Sequence, residues 1–137
     1  MTARRLRMPL ARHRLMRGDF ARVYAGGRRA QGPLFAVVVL ENGLERTRLG
    51  LSVSKRHARR AVRRNRVRRI LREAFRLSLP ELPSGIDVVV VATAVDLDPR
   101  LVEARAELLT LVARALRKPP RRPRRGPRDG TPGRASR

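Results

Sequence analysis

Residues 59–75 read RRAVRRNRVRRILREAF, and this stretch holds the clearest structural signal of the chain. Eight of its seventeen residues are arginine, and its first acid is Glu73. Apolar residues recur at steps of three and four, the spacing of one helix face. They are Val67, Ile70, Leu71, Ala74 and Phe75. The stretch is therefore predicted to be a helix packed on a core, with a dense row of arginines on its other faces.

The charge of the whole chain points to a polyanionic partner. Its 137 residues carry a formal net charge of +23, and a balance this basic is typical of proteins that bind nucleic acid. Only Lys55 and Lys118 are lysines, and arginine binds phosphate in a bidentate manner. The absence of cysteine excludes disulfides and thiolate metal sites. No apolar run approaches the roughly 18 residues of a membrane span, so we expect a cytoplasmic protein with no membrane partner.

Composition divides the chain into three segments. Residues 1–14 are basic and predicted to be flexible, and residues 15–117 are predicted to form one folded α/β domain. Residues 118–137, KPPRRPRRGPRDGTPGRASR, contain five prolines and no large apolar residue. Such a segment cannot bury enough surface to offset its chain entropy, so we expect a disordered basic tail.

The elements before the basic helix are marked by short local signals. Residues 18–27, GDFARVYAGG, predict a helix with Asp19 in its first turn and a glycine pair at its end. Residues 34–40 and 48–54 are rich in apolar and β-branched residues, which predicts strands. The Asn-Gly pair at 42–43 between them is typical of a hairpin turn.

A strand and a helix are predicted after the basic helix. Residues 86–93, IDVVVVAT, form the continuous apolar run expected of a strand covered on both faces. Asp98 is expected to cap a helix that has Pro99 at its first position. The fold class is therefore α/β (α+β): a two-layer sandwich with a small mixed sheet, in the order α-β-β-β-α-β-α.

The sequence favours binding over catalysis. A metal-dependent nuclease needs clustered carboxylates to hold its ions, and the acids here are sparse and spread along the chain. Ten cations lie within residues 54–73, and Asn65 among them can bond a backbone or base edge. Glu73 is expected to pair with Arg66 or Arg69, which leaves most of the row without a counter-charge. The alternative reading is a solvated charged face.

Three aromatic residues are candidates for stacking on unpaired bases. Phe20 and Tyr24 lie four residues apart on the first helix, and Phe35 lies on the first predicted strand. Core packing is the competing interpretation for each, and a ring can do both if one of its faces borders a cleft.

Residues 48–77, RLGLSVSKRHARRAVRRNRVRRILREAFRL, resemble the signature of the bacterial ribonuclease P protein family. The hallmark is the Arg-Asn-Arg triplet at 64–66, followed by Arg-Glu-Ala-Phe at 72–75. Residues 19–29, DFARVYAGGRR, are similar to the first helix of the family. Residues 81–112 are similar to its last strand and last helix. The resemblance covers about residues 15–117.

This resemblance implies the small protein subunit of a ribonucleoprotein that removes the 5′ leader from precursor tRNA. It implies an endoribonuclease in which the RNA subunit hydrolyses the bond with Mg²⁺ and the protein carries no active site of its own. One protein per catalytic RNA is expected. The family also has an unusual crossover around its basic helix. Physical reasoning alone would favour the right-handed connection there.

The resemblance also implies roles for individual residues. The basic loop and helix would bind the catalytic RNA, through Lys55, Arg56, Arg59, Arg60, Arg64, Asn65, Arg66, Arg68, Arg69 and Arg72. A cleft between the first helix and the sheet would hold the single-stranded leader, lined by Phe20, Tyr24 and Phe35. Many family members carry an aromatic where this chain has Val38, which has no ring for stacking.

Two other functions compete with this one. A ribosomal or other general RNA-binding protein would explain the charge equally well, but not the order of the motifs. A metal-dependent nuclease acting alone would need the carboxylate cluster that the sequence lacks. A metal-dependent nuclease would hydrolyse RNA as a purified protein without any RNA subunit. The other two functions predict no such hydrolysis.

Overall fold

The computed structural model describes residues 13–95 and 97–119. In chain order the elements are helix α1 (Arg17–Gly26), strands β1 (Arg28–Gln31), β2 (Phe35–Glu41) and β3 (Arg48–Ser52), helix α2 (Ala61–Ser78), a 3₁₀ turn (Leu79–Glu81), strand β4 (Ile86–Ala92) and helix α3 (Leu101–Arg117). The predicted order of helices and strands is confirmed. Strand β1 had no predicted position, because its sequence is polar.

The four strands form one mixed sheet in the order β1-β2-β4-β3. Strand β2 is antiparallel to β1 and to β4, whereas β3 is parallel to β4. The hairpin predicted at residues 42–43 is therefore wrong, since β4 lies between β2 and β3. Gly43 does turn the chain, with φ of 72°. The valine-rich β4, however, pairs with β2 along one edge and with β3 along the other. The parallel pair is connected through α2, so the basic helix lies in the crossover.

Helix α2 packs as its periodicity predicts. Val67, Leu71, Ala74 and Phe75 are buried on one side, and Ile70 is half-buried against the same cluster. Full burial of a side chain such as Phe75 stabilises the fold by about 2 to 3 kcal/mol. The arginines of α2 are thereby directed to the other sides of the helix.

The sheet separates two apolar clusters of unequal size. The larger one joins α2 and α3 to the side chains of Phe35, Val37 and Val39 on β2. The smaller one lies on the opposite face and contains Val23 of α1 and Val38 of β2. The fold is thus α+β as predicted, but α1 covers part of the second face, so the helices do not form a single layer.

Helix α3 begins later than predicted and is held at its end by a buried arginine. Its N-cap residue is Arg100, whose backbone N–H donates to Glu103 at 3.2 Å, so Asp98 is not the cap. At the other end Arg28, only 7 % exposed, donates to the carbonyl oxygens of Leu116 at 3.3 Å and Lys118 at 2.9 Å. These bonds satisfy carbonyls that the last helical turn leaves free.

The two predicted flexible ends lie mostly outside the described residues. His13 and Arg14 were predicted to lie in the flexible segment, but they do contact the fold. His13 Nδ1 lies 2.7 Å from the backbone carbonyl oxygen of Thr47. Arg14 forms an isolated parallel β-bridge with Leu49. Lys118 donates to the Arg29 carbonyl. Within the described ranges, no helix combines the length and the apolar character that crossing a membrane requires.

Candidate nucleic-acid interface

The basic residues predicted to bind RNA lie on α2 and on the loop before it. This loop, residues 53–60, connects β3 to α2. Two of the predicted residues, Arg64 and Arg68, are half-buried. The others are exposed: Lys55, Arg56, Arg59, Arg60, Asn65, Arg66, Arg69 and Arg72. The structure therefore brings all ten onto one loop–helix unit, and eight of them point to solvent.

Few acids neutralise this surface. Asp98, in the segment before α3, approaches Arg63 at 4.0 Å and Arg66 at 3.9 Å. Glu73 pairs with Arg76 and not with Arg66 or Arg69, so that expectation is wrong. Residues three positions before and three positions after Glu73 are both its neighbours on the helix. The Arg76 side chain, three positions after it, donates to both carboxylate oxygens.

A groove of about 720 Å³ is lined by residues of the basic helix and by Phe20 of α1. It lies beside β3, which is an edge strand of the sheet. Its lining includes Arg68 and Arg72 of α2, Arg14 and Arg17, and Phe20. The sequence did not predict Arg14 and Arg17 here, because this position depends on Arg14 and Leu15 pairing in parallel with Leu49 of β3.

Arg72 of this groove lies among other positive charges. Burial lowers the pKa of Arg72, and the positive charges of Arg68, Arg14 and Arg69 lower it further. These positive charges repel Arg72, and no acid of the described residues pairs with it. An entering phosphate would relieve the repulsion and accept charge-assisted hydrogen bonds.

The three aromatic residues do not share one cleft. Phe20 is half-buried in the smaller cluster, and its ring lies edge-on to the exposed Tyr24 with 6.3 Å between the centroids. Phe35 is 0 % exposed in the larger cluster, on the other face of the sheet. The prediction that Phe35 lines the cleft is therefore wrong: the side chains of a strand alternate between faces, and its ring belongs to the core. Val38 does face α1 but is 3 % exposed.

Helix α1 is fixed to the sheet by one buried carboxylate. Asp87 on β4 is 0 % exposed and accepts from Arg48 at 2.9 Å through each of its oxygens. It also accepts from Arg22 of α1 at 2.6 Å and from Asn42 at 2.8 Å. Burial raises the pKa of Asp87, but the hydrogen bonds from these three partners outweigh burial and hold the pKa below its ordinary value.

Further acids of the described residues bond to other parts of the fold. Glu107 of α3 accepts from the backbone N–H groups of Leu34 at 2.8 Å and Phe35 at 3.0 Å. Glu41 accepts from Arg28 at 2.9 Å. Within the described ranges, no group of three or more His, Asp or Glu side chains is arranged to hold a metal ion.

Comparison with known proteins agrees with this geometry. Residues 10–116 match the model of the Ribonuclease P family. The chain belongs to the ribonuclease P protein family. The match begins three residues before His13 and ends one residue before the end of α3, so it takes in all four strands and nearly all of the three helices described here.

Named relatives and solved structures give the same result. A ribonuclease P protein component from Chromobacterium violaceum is 39 % identical over 106 residues, covering 77 % of this chain and 87 % of the relative. One from Pseudanabaena is 39 % identical over 100 residues, covering 72 % and 86 %. One from Coxiella burnetii is 45 % identical over 76 residues, but the match spans only 62 % of that relative.

The structural neighbours are ribonuclease P proteins as well. The Staphylococcus aureus protein superposes with a TM-score of 0.65 at 28 % identity, over 75 % of this chain and 94 % of its own. The Thermotoga maritima protein gives 0.63 at 31 % identity, over 79 % and 96 %. The mixed four-stranded sheet with three helices is therefore the fold of the ribonuclease P protein family.

Proposed function

We propose that this chain is the protein subunit of a ribonuclease P ribonucleoprotein, which removes the 5′ leader from precursor tRNA. Membership of the family supports this proposal, and so do the relatives named ribonuclease P protein component. The single observation that carries it is the loop–helix unit, where eight predicted RNA-binding residues are exposed on one surface. A catalytic RNA is the polyanion that this surface would neutralise.

The protein's contribution is binding and orientation. In this proposal the exposed cations of α2 and its loop hold the RNA subunit, while Phe20, Tyr24 and the groove contact the single-stranded leader. The groove supports this arrangement, since Arg68 and Arg72 border the same space as Phe20. A leader base can stack on an aromatic ring while its phosphates contact arginines.

The chemistry belongs to the RNA subunit in this proposal. Magnesium ions held by that RNA would supply the activated water and stabilise the leaving oxygen. The chain's own residues neutralise phosphates and position the leader. The carboxylates support this division of labour, since Asp87 and Glu107 are engaged by groups of the protein itself. One protein per RNA, working in the cytoplasm, completes the proposal.

The salt dependence of RNA binding tests the proposed surface. Affinity for the matching RNA subunit is measured against salt concentration for the wild type and for a variant carrying Arg66→Gln and Arg69→Gln. Each lost phosphate contact reduces the slope of log K against log salt by about 0.7 to 0.9, so the variant should lose about 1.5 of that slope.

The matched control removes the same charge from α3. Arg114 and Arg117 are exposed there, and the variant Arg114→Gln with Arg117→Gln should keep the wild-type slope. Equal slopes for the wild type and the α2 variant would remove the basic helix from the RNA interface. Hydrolysis of RNA by the protein alone, above the level of a mock purification, would favour an independent nuclease instead.

A further inference from the structure

The loop before α2 is a folded structure and not a loose basic arm. The Ser54 carbonyl accepts from the backbone N–H groups of His57 at 3.0 Å and Ala58 at 3.2 Å. The Ser54 hydroxyl lies 3.0 Å from His57 Nδ1, and the Leu97 N–H donates to the His57 carbonyl at 2.8 Å. Ala58 is 2 % exposed. The loop therefore holds one defined conformation.

The loop carries four exposed cations that repel one another. Lys55, Arg56, Arg59 and Arg60 lie within six consecutive residues, and all four side chains are exposed. Their repulsion favours an open chain over the compact turn that the structure shows. Contacts from outside the loop must therefore help to keep it closed.

Two arginines of α2 supply such contacts. Arg64 Nη1 donates to the carbonyl oxygens of Ala58 at 3.2 Å and Arg59 at 2.9 Å. Arg68 Nη2 donates to the Val53 carbonyl at 3.2 Å. Both side chains are half-buried, whereas the neighbouring Arg69 is exposed and makes no hydrogen bond or ion pair within the described part of the chain. Hydrogen bonds from charged donors are stronger than those between neutral groups.

We infer that Arg64, the first arginine of the Arg-Asn-Arg triplet, is a positioning residue that braces the loop and fixes the array of loop cations presented to RNA. Its guanidinium spans two successive carbonyls at the start of α2. A loop that is already in its binding conformation loses less entropy when RNA binds. The role in RNA binding rests on the proposed function, whereas the bracing itself does not.

Amide hydrogen exchange of the free protein tests the brace without any RNA. Exchange at His57 and Ala58 reports opening of the turn, because both amides donate to Ser54. Arg64→Ala should accelerate exchange at these two amides by about tenfold or more, as the loss of a charged hydrogen bond implies. Arg69→Ala removes the same charge from the same helix and should leave both rates unchanged. Unchanged loop exchange in the Arg64 variant would overturn the inference.

A double-mutant cycle tests whether bracing matters for RNA. In the wild-type background, Arg59→Ala should weaken binding of the RNA subunit several-fold. In the Arg64→Ala background the same change should cost much less, because the unbraced loop no longer holds Arg59 in place. In the Arg69→Ala background it should cost as much as in the wild type. Equal costs in all three backgrounds, or no cost in the wild type, would show that Arg64 positions nothing for RNA.

The two experiments distinguish failure of the proposed function from failure of the inference about Arg64. If the wild type does not bind the RNA subunit at all, the proposed function fails, but loop exchange still decides whether Arg64 braces the loop. Circular dichroism in urea checks that each variant is folded. Arg64→Gln, which keeps most of the side-chain volume and removes the charge, replaces the alanine variant if that protein does not fold.

Discussion

The buried Asp87 should be the most sensitive polar position of the fold. It receives four hydrogen bonds, three of them from arginines. In Asp87→Asn one oxygen becomes an NH₂ group that faces a guanidinium, so at least one charged bond is lost and Arg48 and Arg22 lose the carboxylate that balances their charge. Breaking a buried ion pair costs about 3 to 5 kcal/mol. Arg48 and Arg22 keep 16 % and 44 % of their side chains exposed and can regain water, so we expect the lower end, about 3 kcal/mol.

The assay is urea denaturation at neutral pH, followed by circular dichroism. Asp98→Asn is the matched control, because that carboxylate is 49 % exposed and its arginines lie 3.9 and 4.0 Å away. Exposed pairs contribute about 0 to 1 kcal/mol. Amide exchange in α1 should also rise in the Asp87 variant, since Arg22 links that helix to the sheet. A loss below about 1 kcal/mol, or equal to the control, would refute the role given to Asp87.

Three further predictions follow from single side chains. Because the pKa of Asp87 is lowered in the folded state, its contribution is complete above the unfolded value of about 3.9 and is lost as pH falls through the folded pKa. Acid unfolding monitored by circular dichroism should therefore be less steep in Asp87→Asn than in the wild type. Gly50→Ala would place a Cβ 2.6 Å from the Phe20 ring, so we expect destabilisation of about 1 to 3 kcal/mol in urea; unchanged stability would show that the ring moves freely. Phe20→Leu should weaken holoenzyme binding of precursor tRNA about fivefold or more, the effect of one lost stack, and leave mature tRNA unaffected; equal losses for both would remove Phe20 from the leader site.

The parts of the fold set by local sequence were predictable. The apolar stripe of α2 needs only helical periodicity, and its five residues pack as expected. The basic loop–helix unit follows from the same stretch, since residues off the stripe must face elsewhere. Helix α1 ends at its glycine pair as predicted. In these cases a few adjacent residues contain the whole signal.

The parts set by tertiary contacts were not predictable. The Asn-Gly turn suggested a hairpin, but strand order depends on β4 inserting between β2 and β3. The local sequence around Phe35 does not indicate which face of the sheet its side chain occupies. The groove brings Arg14 and Arg72, which are far apart in the chain, to one site beside β3. The family resemblance implied that Arg64 contacts RNA, and only the structure shows that it donates to backbone carbonyls of the loop.

The most direct test of the proposed function is cleavage of precursor tRNA by the matching catalytic RNA at low magnesium, with and without this protein. We predict a large increase in rate when the protein is added, with the cut at the 5′ end of the mature sequence. No increase, despite tight and salt-sensitive RNA binding, would contradict the proposal and leave a general RNA-binding protein built on the ribonuclease P protein fold.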